Sequence, residues 1–375
     1  MSPANRKDGT MAKEVKVGLV GCGSVSQRGL LPHLVQEDLK GRCRLTAVCD
    51  NVRGRAPASA RKFGVPQAFD DYGEFLARAD VDVVALATPI GIHFEQAMAA
   101  VAAGKHVHLN KAMTTTVAEA DKLIRAAKKA RVKIVASPGQ MLRPAHRLIK
   151  EWVEAGAIGR PYFAVNGMAF AGHEYEDFRK PGDVLTDVDP TWYYKAAGGP
   201  MLDMGVYCLH TLTGILGPAK AVAGASGIGL PKRKYKGKSI TVEMDDMTVL
   251  TVDFGKKGFG IVYAGFTWGS DAGQLRLHGS EGEIEIAGGN VVLTGWNKEK
   301  FPPVPAVRRP EIVTGPHAEL PESHVYADIL HLVDCIREGR KPEVTAEHAR
   351  HVIEIMEKGY RAAKTGRRQN LTTTF

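Results

Sequence analysis

Apolar and polar positions over the first 140 residues follow two alternating rhythms. Largely apolar runs at 15–20, 43–49, 81–87, 106–109 and 132–136 read as strands, and the stretches after them space apolar residues at helical intervals. The stretch from His93 to 103 places Phe94, Ala97, Met98 and Val101 on one face and stops at Gly104, a residue that tolerates the left-handed end of a helix. Thr116-Val117-Ala118-Glu119 fits a capping box, and Leu123, Ile124 and Ala127 continue its apolar stripe. Strand and helix in alternation predict a mostly parallel, doubly wound sheet, because parallel neighbours need crossovers packed on its faces. This first domain is set at 14–140.

Beyond a bridging helix at 144–155, with Leu148, Ile149, Trp152 and Val153 apolar, strands succeed one another without helices between them. Candidates at 163–166, 222–225, 248–254, 260–266, 274–278 and 283–286 predict an α+β domain over 141–375, built on an open, mostly antiparallel sheet. One helix, 201–216, interrupts them. Amphipathic helices at 325–337 and 345–364 turn Ile329, Leu330, Val333 and Ile336, then Val352, Ile355 and Met356, inward; they are free to pack back on the first domain.

Composition narrows the class. A chain of 375 residues, 44% hydrophobic and 24% charged, is neither disordered nor collagen-like. No apolar run approaches the roughly 20 residues that cross a bilayer. The net charge of +9 is modest and accompanies no DNA-reading motif, so neither a membrane nor a nucleic-acid partner is expected. The basic run from Lys232 to Lys238 reads as an exposed hairpin. Five scattered cysteines form no C-x-x-C pair, and His106 and His108 share a strand face without a carboxylate or cysteine beside them, so no metal is expected. Residues 1–13 read as a disordered extension rather than a signal, and the protein as cytoplasmic.

Chemistry begins at Gly21-Cys22-Gly23-Ser24-Val25-Ser26, directly after the first strand. The first glycine permits a tight turn, the second lets a pyrophosphate approach the backbone, and Ser26 is small enough for the third position. The N–H groups that open the helix then bind phosphate. Asp50, ending the second strand, is placed to accept ribose hydroxyls and to repel a 2′-phosphate; this favours NAD, with NADP second because Arg53 and Arg55 lie close by.

Further markers stand in order: Thr88-Pro89 with His93, Gly104-Lys105-His106-Val107 leading to Lys111, Arg143-Pro144, and the run from Gly198 through Asp203 to Tyr207. With the glycine turn, they make the sequence resemble the Gfo/Idh/MocA oxidoreductases, typified by glucose–fructose oxidoreductase and inositol dehydrogenase, over nearly the whole chain from Val15. The resemblance implies a Rossmann domain binding NAD through Gly21, Gly23, Ser24, Val25, Asp50, Thr88, Pro89, His93, Asn110, Lys111 and Gln140. It implies Lys111, Asp203, Tyr207 and His210 as the catalytic group, joined by Arg143, Trp192 and Tyr194 around the substrate.

Two departures from the family pattern matter. The Glu-Lys-Pro motif reads Asn110-Lys111-Ala112, which removes an acidic partner for the ammonium and frees the φ angle that proline fixes. Where relatives place aspartate and histidine four residues apart, this chain has Asp203 and Tyr207, as in the glucose–fructose oxidoreductase branch. A phenol with a pKa of about 10 is a poor base at neutral pH, so Lys111 and NAD⁺ are expected to lower it. His210, one turn on, is the competing acid/base or a relay. His173, on the Gly-flanked run to Asp177, is read as part of a solvated loop or as a substrate contact.

The resemblance therefore implies hydride transfer between a nicotinamide cofactor and a secondary alcohol or ketone of a sugar, sugar derivative or cyclitol. It also implies a homodimer or homotetramer assembled through the C-terminal sheet. Two rivals share the fold: NAD-assisted glycoside cleavage through a transient keto-sugar, and a non-catalytic dinucleotide-binding regulator.

Overall fold

Six strands rich in buried valine, leucine and alanine build the first sheet: β1 (Val15–Val20), β2 (Cys43–Cys49), β3 (Gln67–Phe69), β4 (Val83–Leu86), β5 (His106–Leu109) and β6 (Ile134–Ala136). The computed structural model describes residues 13–266, 275–288, 290–306 and 312–375. Of the expected N-terminal extension, all but Lys13 lies outside the described residues, as does Gln274 of the strand expected at 274–278. The strands are parallel, in the order β3-β2-β1-β4-β5-β6. Helices α1 (Leu31–Leu34, continuing a π-wound turn at Ser26–Leu30), α2 (Arg55–Phe63), α3 (Tyr72–Arg78), α4 (His93–Ala102) and α5 (Val117–Ala130) make the connections. The capping box at α5 forms as read: Thr116 Oγ1 accepts from Glu119 N at 3.2 Å, and Glu119 accepts from Thr116 N at 3.1 Å. The strand order reverses between β1 and β4, which opens a crevice at their carboxyl ends where ligands settle in sheets of this kind.

α6 (Pro144–Glu154) leads into a nine-stranded sheet ordered β16-β15-β14-β13-β7-β12-β11-β8-β17. Its members are β7 (Pro161–Ala169), β8 (Ala221–Gly227), β11 (Met247–Asp253), β12 (Phe259–Gly265), β13 (Arg276–Gly279), β14 (Gly282–Ala287), β15 (Asn290–Gly295), β16 (Val304–Pro305) and β17 (Gln369–Asn370). All pairings are antiparallel except β7 with β12. A π-wound turn at Met201–Gly205 runs into α7 (Val206–Leu216), which packs with α9 (Ala346–Thr365) against one face. Period-two alternation in β11 buries Thr248, Leu250 and Val252 on that side and leaves Met247 and Val249 exposed on the other. The basic run folds as the expected hairpin, β9 (Lys232–Tyr235) with β10 (Lys238–Thr241). Its Arg233 is nevertheless buried, between Glu174 and Asp246.

Helix α8 (Ser323–Arg337) crosses back onto the first sheet, and α9 packs on α5. On α8, Val325, Ile329, Leu330, Leu332 and Val333 share a core with Val17, Leu19, Val83, Ala85 and Val135 of the first sheet. Each such aliphatic side chain contributes about 1.5–3 kcal/mol when fully buried. The chain therefore returns to the first sheet long after residue 140, and the return carries His324 to the crevice.

Candidate active site

Gly21 adopts φ +90°, and a Cβ there would lie 2.6 Å from the Ala87 carbonyl, so the tight turn after β1 admits glycine alone. Ser26 Oγ donates to the Gly21 carbonyl and locks the turn. Asp50 Oδ2 accepts from Cys22 N and Oδ1 from Val52 N, both at 2.8 Å, which ties the end of β2 to the glycine turn. Arg55 faces Asp50 at 3.5 Å and donates to the Val184 and Asp187 carbonyls, so its guanidinium is engaged inward rather than offered to a 2′-phosphate. The residues fit a dinucleotide: an opening helix turn with N–H groups lacking helical acceptors, a glycine cradle, and a carboxylate at the end of β2. The 172–190 segment leans over this turn. A Cβ on Gly23 would lie 3.8 Å from Val188, and Arg179 Nη1 stands 3.5 Å from Ser24 Oγ.

On the other side of the crevice, Lys111 follows β5. Its backbone N–H donates to Asn110 Oδ1 at 2.8 Å, and the Lys111–Ala112 peptide is cis. His93 faces the Ala112 and Thr88 carbonyls at 2.8 Å each, joining the turns after β5 and β4. Burial holds its pKa down, so the neutral ring donates to one carbonyl at a time. Thr88 Oγ1 is spent on Gln96 at 2.6 Å. Gln140 reaches α7 rather than the glycine turn, donating to Thr211 Oγ1 at 2.9 Å.

Lys111 Nζ hydrogen-bonds Asp203 Oδ1 across the two domains. With asparagine at position 110, the counter-charge of the ammonium comes from Asp203 of the other domain. Burial opposes charge on both groups. Even so, the ammonium of Lys111, with His173, holds the Asp203 carboxyl below its ordinary range, and Asp203 raises Lys111 in return.

The structure corrects several expectations. His173 is buried, not solvated: its Nε2 lies 2.8 Å from Asp203 Oδ2 and its Nδ1 2.9 Å from Glu176 Oε2. Burial works against its protonation, yet the two carboxylates outweigh that and raise its pKa. His210 sits one turn beyond Tyr207, but its ring packs against that of His348, 4.5 Å away. Burial and then His351 push it down to about 3. Tyr207 does stand beside Lys111, whose Nζ is 5.5 Å from the ring centroid; its hydroxyl lies 3.0 Å from His324 Nε2. In the protein alone, burial outweighs the nearby ammonium and pushes its pKa up to about 12. Tyr194 turns into the core beneath Arg233, bonded to Glu174, so its ring is unavailable to a sugar. Its neighbour Tyr193 turns the other way, stacked between Trp192 and His173 with centroids 3.8 and 3.4 Å away. The positive charge of Arg143 acts on Tyr207 and His324.

Tyr193 and His324 are not among the expected site residues, and His173 is expected as part of a solvated loop or as a substrate contact, not as a partner of Asp203. His173 and Tyr193 lie on segments without periodicity, and His324 lies 117 residues from Tyr207. The run Gly172-His173-Glu174-Tyr175-Glu176 did carry one signal, a histidine flanked by acids.

Comparison with known proteins places the chain. Residues 15–137 match GFO_IDH_MocA, an oxidoreductase family with an NAD-binding Rossmann fold, and residues 146–285 match the GFO/IDH/MocA C-terminal domain. The chain belongs to the Gfo/Idh/MocA family. It is 29% identical over 224 residues to a dTDP-3,4-didehydro-2,6-dideoxy-alpha-D-glucose 3-reductase of Actinomadura kijaniata, covering 60% of this chain and 61% of that one. It is 26% identical over 273 residues to a scyllo-inositol 2-dehydrogenase (NADP(+)) of Bacillus subtilis strain 168, covering 72% and 76%. A levoglucosan dehydrogenase solved with NADH and levoglucosan shares the fold, with a TM-score of 0.78 at 19% identity over 96% of this chain and 100% of that one. The chain spans about three fifths of the length of the dTDP-sugar reductases it matches.

The buried pair makes a signed prediction. Asp203→Asn leaves Lys111 without its counter-charge and should cost about 3 kcal/mol near pH 6. A depressed folded pKa at Asp203 means that this stability is present above about pH 4 and is lost as the pH falls through the folded value. The raised His173 pKa adds stability that is full below about pH 6.5 and is lost as the pH rises through its folded value. Urea denaturation should therefore give a wild-type advantage that peaks between about pH 5 and 6.5. A difference independent of pH contradicts the pairing.

Proposed function

We propose that this chain is an NAD(P)-dependent oxidoreductase interconverting a secondary alcohol and a ketone on a sugar, a sugar derivative or a cyclitol. The observation that carries the reading is the Lys111–Asp203 ion pair, which sets a charged ammonium at the carboxyl end of β5, across the crevice from the glycine turn. Relatives named as a sugar-nucleotide reductase and an inositol dehydrogenase support the substrate class. The nicotinamide, when bound, supplies or accepts the hydride.

The chain's own residues do the rest. Lys111 polarises the substrate oxygen and gives it a proton in reduction; Asp203 keeps the ammonium charged and aimed. Tyr207, protonated at neutral pH, serves beside Lys111 as a neutral hydrogen-bonding group, and His210 takes no part. Trp192 offers aromatic surface to the C–H face of a sugar ring. Asp50, with Arg55 turned inward, favours NAD over NADP.

The test follows absorbance at 340 nm with NAD⁺ or NADP⁺ against free sugars, cyclitols and glycosides, with chromatography of the sugar products. Stoichiometric NADH, abolished in Lys111→Ala while NADH affinity stays within about threefold, is the expected result. Aglycone release without NADH moves the activity to redox-assisted glycoside cleavage, and unchanged turnover in Lys111→Ala refutes the role given to the lysine.

The uncovered face of the nine-stranded sheet, where Met247, Val249 and Phe259 stand exposed, is proposed as the surface through which copies of the chain associate. Light scattering should report a dimer or tetramer for the native chain and a monomer for Val249→Lys. A native monomer refutes it.

A further inference from the structure

We infer that His173 is the proton relay of this site, a positioning residue that exchanges the reaction proton with Lys111 through Asp203 and with solvent through Glu176. The inference rests on the oxidoreductase reading above and extends it outward from the reacting oxygen.

The geometry is a line of four groups. Asp203 gives one oxygen to Lys111 and the other to His173 Nε2, 2.8 Å away. The opposite ring nitrogen, Nδ1, is 2.9 Å from Glu176 Oε2. Side-chain exposure is 19% at Lys111, 4% at Asp203, 10% at His173 and 22% at Glu176, so a buried middle joins two ends that reach solvent. Substrate bound over Lys111 covers the inner end and leaves Glu176 as the outlet. Imidazole is the side chain that can take a proton on one nitrogen while releasing one from the other, and a carboxylate on each nitrogen is the arrangement that use requires. A histidine serving packing alone needs no second carboxylate.

The ring is held for the task. Tyr193 stacks on it at 3.4 Å between centroids, Phe170 and Phe266 meet it edge-on, and its backbone N–H donates to the Tyr194 hydroxyl at 2.9 Å. The charged and titratable groups around it are Asp203 from the turn before α7, Glu176 and Arg179 from its own segment, Tyr193 from the 191–194 turn, and Lys111 beyond Asp203. Arg179 also donates to Glu176 Oε2, at 2.7 and 3.0 Å, so the charges alternate in sign from Lys111 to Arg179. Arg233 is occupied by the adjacent Glu174 and Asp246.

The proton balance closes. In reduction the carbonyl carbon receives the hydride and the oxygen receives a proton from Lys111 Nζ. Lys111 recovers a proton from His173 Nε2 by way of Asp203 as Nδ1 takes one from water by way of Glu176, and the imidazole returns to its Nε2–H tautomer between turnovers. The ketone has gained one hydride and one proton; oxidation runs each transfer backwards. The relay therefore enters from the 172–176 segment, outside the helix that carries Asp203 and Tyr207.

Two measurements decide it. Without any ligand, NMR of ¹³C-labelled histidine, with His173 assigned through His173→Gln, should show His173 titrating above an ordinary histidine and dropping below one in Asp203→Asn. A His173 that titrates normally, or ignores Asp203→Asn, overturns the relay. With the sugar found active in the 340 nm screen, His173→Gln should lower kcat by about tenfold to a hundredfold and flatten its pH profile, with KM and NADH affinity within about twofold. A variant that keeps the wild-type pH profile overturns the relay whatever the NMR shows. Should no sugar turn over, the oxidoreductase reading fails, and the titration alone decides the proton coupling.

Discussion

Everything at the crevice depends on one buried carboxylate with two cationic partners. Asp203 is taken almost wholly out of water, a cost that only close opposite charge repays, and Lys111 and His173 supply it from two different segments. Lys111 comes from the end of the parallel sheet, His173 from the loop after β7, and Asp203 from the wide turn that starts α7. The carboxylate therefore fixes the two domains against each other as well as the ammonium against the crevice. Removing it would leave a buried ammonium without its counter-charge beside a histidine whose protonation burial then opposes.

The fold supplies what that pair needs. The reversal of strand order between β1 and β4 opens the crevice, and the turns after β1, β4 and β5 line it with Gly21, Thr88 and Lys111. His93 ties two of those turns together, so the lysine stands on a braced base. α8 returns from the second half of the chain to pack on the first sheet; it places His324 against the Tyr207 hydroxyl and sets Asp328 to accept from Ser137 and Gly139 after β6. The site is shared between the domains rather than lodged in either.

Local physics made much of this legible. Period-two and period-3.6 patterns marked most strands and helices within a few residues, and the capping box at Thr116 and Glu119 appeared as spelled. The glycine turn, Lys111 and the Asp203–Tyr207 spacing were visible because each lies at the end of a regular element. β3 was too short to leave a pattern, and the parallel pairing of β7 with β12 depends on contacts about a hundred residues apart in sequence. His173 and Tyr193 stand on irregular segments whose direction is set by the hairpin clamped over them through Arg233. Tyr194 was read in place of Tyr193 because adjacent residues in a short turn point to different sides, and only packing decides which faces the core. The phenol of Tyr207 was expected to be acidified by Lys111; the sequence shows the neighbouring charge but not how deeply the ring is buried.

The most direct test of the account is a crystal structure of the ternary complex with NADH and the active sugar, read at one distance. The account predicts Lys111 Nζ within hydrogen-bond reach, about 2.7–3.2 Å, of the reacting oxygen, with Asp203 still bridging Lys111 and His173. A reacting oxygen seated against Tyr207 or His210, with Lys111 turned away or Asp203 released from His173, would contradict it.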